Sequence, residues 1–171
     1  MENSTAESYC ADLVRQLSPD DYLAALFVPA ELRRELLALY ALDAELRHVH
    51  AAVSEEITAH IRYAWWQESL DQLQAGQPAR AHPVVQAISA AAQSGTLSYE
   101  HLCGLVHQYR ISYPAMADAS QILDSAAQHW LQRRAPQAKA LWQKARDTIR
   151  SHGRKPRWLL LIRLYWLGSF G

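Results

Sequence analysis

One stretch, PAELRRELLALYALDAELRHVHAAV, running from Pro29 to about Val53, does most to restrict what this chain can become. Leu32, Leu36, Leu39, Tyr40, Leu46 and Val49 recur at helical spacing, which predicts one long helix with an apolar stripe. Such a helix must lay its stripe on other elements, and the rest of the chain offers helices to receive it. Ser18 stands as an N-cap before Pro19, with Asp20 and Asp21 at the positive helix end. Ser54 stands before Glu55 and Glu56 as the cap of a helix that Gly76 would terminate. His82 and Pro83 open a shorter helix ending near Gly95, and Ser98 caps the next. Two more are predicted near 117–133 and 136–151, with Gly153 as the stop, and the tail KPRWLLLIRLYWLGSFG reads as a last short helix or an apolar strap.

The expected class is therefore all-α, with about seven elements in one domain over 1–171 and a basic, aromatic tail at about 154–171. Only six Gly and seven Pro interrupt a chain rich in Ala and Leu, and no segment alternates as a strand does. Seventeen basic residues balance seventeen acidic ones, so nothing draws the chain to nucleic acid. Cys10 and Cys103 lie far apart without CxxC spacing, as buried thiols of a cytosolic protein do. MENSTAESYC resembles neither a secretory signal nor a transit peptide, and no apolar run reaches membrane-span length. The expected place is the cytoplasm, or the face of an inner membrane.

Chemistry-bearing spacings are few. Asp43 and Arg47, four apart, share a helix face and can pair; Glu45 and His48 are three apart. From spacing alone these read as a solvated charge ladder. His48 and His50 point to different sides of a helix, and there is no HExxH, G-x-S-x-G or glycine-rich phosphate loop. In IRYAWWQESLDQL, Arg62, Trp65, Trp66 and Leu70 can share a broad face, read either as a helix–helix contact or as a cationic rim on an apolar pocket. In the tail, Arg157 and Arg163 flank Trp158, Tyr165 and Trp166, a composition that suits either a membrane interface or docking on a protein surface.

YLAALFVPAELRRELLALYALDAELRHVHAAVSEE, then IRYAWWQESLDQL, then HPVVQAI, in that order, resemble the N-terminal part of the squalene/phytoene synthase family, in a divergent branch that includes a respiratory complex I assembly factor. The resemblance implies a terpenoid-synthase-like helical bundle, here shortened. In active members, two aspartate-rich helices hold magnesium ions that bind prenyl diphosphates. Aligned on Tyr40, the first set of acids would fall near Arg47, His48 and Ala51, so the helix is retained and the metal ligands are replaced. The second acidic motif has no counterpart after YRISYP, where Asp118, Asp124 and Asp147 form no DxxxD. From Ala135 onward the chain resembles a family C-terminus that arrives early.

The resulting expectation is a non-catalytic family member without a metal cofactor, acting as an interaction or assembly protein in respiratory-complex biogenesis. It would form a homo-oligomer or bind a partner protein, with peripheral membrane contact. Tyr40, Asp43, Glu45, Arg47, His48, Arg62 and Trp66 are the candidate remnants of a pocket or diphosphate site. Trp65, Trp66, Arg157, Trp158, Arg163, Tyr165 and Trp166 are candidate contacts to a membrane or partner. Two alternatives stand beside it. One is a magnesium-dependent prenyl-diphosphate transferase with Asp43 and Glu45 as shifted ligands and Arg62 on the diphosphate; the other is a metal-free isoprenoid or lipid-binding module.

Overall fold

In the computed structural model, residues 2–93, 97–115 and 119–152 are described. They form eight helices: α1 Glu2–Leu17, α2 Pro19–Ala25, α3 Ala30–Ala52, α4 Glu56–Gln74, α5 Pro83–Ala92, α6 Tyr99–Ser112, α7 Ser120–Arg134 and α8 Pro136–His152. Among the described residues there is no strand. The tail candidates Arg157, Trp158, Arg163, Tyr165 and Trp166 lie outside them.

α3 is the axis. It packs against α1, α2, α4, α5, α6 and α7, and every residue from Glu35 to Ala44 is buried. Over those ten residues the stripe expected from the sequence is enclosed on all sides, because Ala38, Ala41 and Ala44 fill the positions between the large side chains. Small residues let neighbouring helices close over those faces, and a helix covered all round exposes no polar side.

Local signals fix most of the boundaries. α4 ends where Gly76, at φ +74°, turns the chain: Gly76 N–H donates to Leu73 O at 3.0 Å and Gln77 N–H to Gln72 O at 2.9 Å. This pair of hydrogen bonds is the glycine-stopped helix end, and a side chain at that φ would be strained. α4 begins one residue later than Ser54 suggests, with Glu55 at the cap position and accepting from the Thr58 hydroxyl at 3.3 Å. α5 starts at Pro83, capped by the imidazole of His82. Ser18 precedes Pro19 as expected, but its hydroxyl makes no cap bond and accepts from Arg47 instead.

α1 has no counterpart in the sequence reading. Its Ala6, Cys10 and Val14, spaced by four, are buried against α3 and α5. At the other end of the chain, α8 returns to the axis through Trp142, whose indole N–H donates to the Tyr40 hydroxyl at 3.2 Å. Among the described residues no helix is long and apolar enough to cross a membrane.

Candidate functional site

Beside α3 lies an open cavity of about 430 Å³, lined by the α1–α2 junction, α6, α7 and α8. Ser18, Asp20, Asp21, Asp43, Arg47, Tyr109, Arg146 and Arg150 supply its polar lining. The chain reaches this arrangement because Asp43 and Arg47, one helical turn apart, stand on the same face of α3 and meet at 2.8 Å. The pair is no solvated ladder. The Asp43 side chain is almost fully buried, whereas that of Arg47 is about a third exposed. The second Asp43 oxygen accepts the Tyr109 hydroxyl at 2.9 Å, and Arg47 reaches on to Ser18. Burial pushes the Asp43 carboxyl above its usual range, against the opposing pull of Arg47 and Tyr109. Burial and the neighbouring Asp43 likewise push the Tyr109 phenol up.

The second polar group of the cavity is centred on Arg146, buried on α8. One guanidinium nitrogen meets Asp21 of α2 at 2.5 Å and the other meets Asp124 of α7 at 2.5 Å, where Arg150 also reaches Asp124. The same guanidinium lies over the Tyr40 ring at 5.5 Å and the Trp142 ring at 5.6 Å. Burial works against the charge on Arg146, but Tyr40, Asp21 and Asp124 outweigh it and hold the cation above its ordinary range. Within the cavity the Nε atoms of Arg47 and Arg146 are buried without a hydrogen-bond partner in the described chain.

The sequence-predicted residues separate into three groups. Asp43 and Arg47 line the cavity, with Tyr40 directly beneath Arg146. Glu45 points elsewhere: it accepts the Tyr9 hydroxyl at 2.9 Å and lies 3.9 Å from His82, so it does not join Asp43 in one ligand set. His48 and Arg62 are exposed and line no part of the cavity, and Trp66 is buried in the core beside Trp65 and His82. The cation over Trp65 is Arg80, at 5.4 Å, and not Arg62. Asp21, Asp124, Tyr109, Arg146 and Arg150 were absent from the sequence-based set. Arg146 alone carried a readable signal, since it interrupts the buried α8 stripe of Trp142, Ala145 and Ile149.

An all-α bundle built on a buried α3, with a cavity beside its Asp43–Arg47 turn, defines the class. The squalene/phytoene synthase model matches residues 14–110, more than half of the chain, and the chain belongs to that family. That match spans the end of α1, all of α2 to α5 and most of α6, so the cavity residues of α7 and α8 lie beyond it. Among curated proteins the chain is similar to NADH dehydrogenase (ubiquinone) complex I, assembly factor 6. With the Bos taurus protein it is 32% identical over 75 residues, 44% of this chain and 22% of the relative. With the Homo sapiens protein it is 32% identical over 72 residues, 42% of this chain and 22% of the relative. With the Rattus norvegicus protein it is 28% identical over 100 residues, 58% of this chain and 30% of the relative. The chain thus matches less than a third of the length of these relatives. No solved structure matches it significantly.

Proposed function

We propose that this chain is a non-catalytic member of its family that acts as an assembly protein, through a partner protein, in building the respiratory NADH dehydrogenase. The carrying observation is the charge arrangement in the cavity. Asp43, Asp21 and Asp124 are each engaged by a guanidinium, from Arg47, Arg146 and Arg150. A magnesium-bound diphosphate needs carboxylate oxygens free to ligate a hard cation. Here Asp43, Asp21 and Asp124 are matched by guanidiniums, and the buried Nε–H groups of Arg47 and Arg146 are donors, which a metal ion cannot use. On this reading the chain works without a metal cofactor.

Interaction is supported from two sides. The similar curated proteins are named as assembly factors of complex I. Ile57 and Ile61, one turn apart on α4, are 76% and 64% exposed, and Ile111 near the end of α6 is 58% exposed. The α6 end meets α4 through the Tyr113–His60 ring contact, at 6.1 Å. Solvent-facing isoleucines at one end of a bundle suit a protein partner. The working place is the membrane face, which the basic, aromatic tail would touch.

The test is deletion in the source cells, followed by native electrophoresis of NADH dehydrogenase. Assembled complex is expected to be lost, and to return equally with the wild-type chain and with Asp43→Asn, which keeps an acceptor for Tyr109. Purified protein given farnesyl diphosphate and magnesium should release no diphosphate. A folded Asp43→Asn chain that fails to restore the complex, or magnesium-dependent diphosphate release, would overturn the reading.

A further inference from the structure

His82 stands at the start of α5, away from the cavity, in an unusual role. Its Nδ1 accepts the Val84 N–H at 3.2 Å, which leaves Nδ1 bare and places the ring proton on Nε2. Helices are ordinarily capped by Ser, Thr, Asp or Asn, whose acceptor oxygens do not titrate near neutral pH. An imidazole caps only while neutral. Once protonated it carries hydrogen on both nitrogens, and Nδ1–H would face the Val84 N–H, donor against donor.

The surroundings supply a second resting place for the charged ring. Nε2 lies 3.9 Å from Glu45 Oε1 of α3, the oxygen that already accepts the Tyr9 hydroxyl of α1. The ring is walled by Tyr9 at 6.4 Å and, from α4, by Trp65 at 5.6 Å and Trp66 at 5.0 Å. The nearest cation of the cluster, Arg80 over Trp65, is paired with Glu68 of α4 at 2.7 Å. Glu45 is therefore the group with which a charged His82 can pair. α5 itself places Pro83 and Val84 next to the ring, and neither is charged.

We propose that His82 is an acid-operated latch on the first turn of α5: protonation cancels the cap, draws the ring to Glu45 and releases that turn from the bundle. Burial favours the neutral ring and Glu45 favours the charged one; burial is the larger, so His82 titrates below its ordinary value. The sign follows from that depression. The cap's contribution is complete above the ordinary imidazole value, ~6.5, and is lost as pH falls from there through the depressed folded-state midpoint.

Amide hydrogen exchange of the full chain, corrected for intrinsic rates, tests the latch between about pH 7.5 and about pH 5. In the wild type, opening of the Val84–Gln86 amides should rise by up to about ten-fold for each pH unit below about 6.5, while α7 amides stay level. His82→Asn, which caps without titrating, should keep these amides protected throughout. Glu45→Gln, which removes the group favouring the charged ring in the folded state, should leave the onset at ~6.5 and carry the rise to more acidic pH before it levels. A level wild-type profile, an equal slope in His82→Asn, or a levelling point unmoved by Glu45→Gln would each overturn the proposal.

Discussion

Replacing Arg146 with methionine is expected to destabilise the chain by about 3–5 kcal/mol, the loss typical of breaking a buried ion pair from one side. Arg146 is only 6% exposed, and its guanidinium holds Asp21 and Asp124 across three helices, α2, α7 and α8. Methionine matches much of the aliphatic length, so the loss is electrostatic and not a cavity effect. Asp124 keeps Arg150, whereas Asp21 pairs with no second guanidinium among the described residues. Asp21→Asn in the Arg146→Met background should therefore recover more than half of the deficit. Urea denaturation of the three chains measures both quantities. A loss below about 1 kcal/mol would mean that the triad behaves as a solvated surface pair. Against the roughly 5–15 kcal/mol of an ordinary domain, the expected loss is a large fraction.

Trp130→Ala should cost a similar amount, about 3–5 kcal/mol, for a different reason. Trp130 is 1% exposed and fills the contact of α7 with α3, and its indole N–H donates to Glu35 Oε2 at 2.8 Å. The other Glu35 oxygen accepts from Arg134 at 3.0 Å. Truncation leaves both a void and a buried carboxylate short of a donor. Trp130→Phe separates the two, since it fills most of the void and removes only the donor; its expected cost is about 1–3 kcal/mol. Equal losses in the two variants, read from denaturation midpoints, would place the whole effect in the hydrogen bond and contradict the packing argument.

The fold was legible wherever a residue acts on its own neighbours. Pro19, Pro83 and Gly76 mark helix ends by their backbone geometry alone, and the α3 pattern declares a helix without reference to anything distant. α1 was not legible, because its buried face consists of Ala6, Cys10 and Val14. None of the three is a large side chain, so they do not stand out as the leucines of α3 do, although α1 is amphipathic. What makes the face apolar is the fit onto α3 and α5. The squalene/phytoene synthase resemblance read from the sequence agrees with the family match.

The site divides in the same way. The Asp43–Arg47 pairing follows from a spacing of four, but its burial depends on Ser18, Tyr109 and α8, each far away in sequence. A surface ladder and a buried pair are identical strings until other helices close over them. Arg146 meets partners 125 and 106 residues away, Asp21 and Tyr40, and only its intrusion into an apolar stripe hinted at them. Glu45 and His48, read as neighbours from a spacing of three, take separate directions because Tyr9 and His82 claim the carboxylate.

The burial of Cys10 gives the protein an internal clock. Its thiol is 1% exposed under α1, and burial, with Glu45 and Glu7 nearby, pushes its pKa up to about 12, whereas Cys103 on α6 is only half-buried. A thiol reagent in solution meets Cys103 in the intact fold and meets Cys10 only after α1 lifts from α3 and α5. The delay between the two labelling events therefore times the detachment of a single helix, with no probe introduced. A partner that seats on α1 would lengthen that delay, and one that binds elsewhere would leave it unchanged.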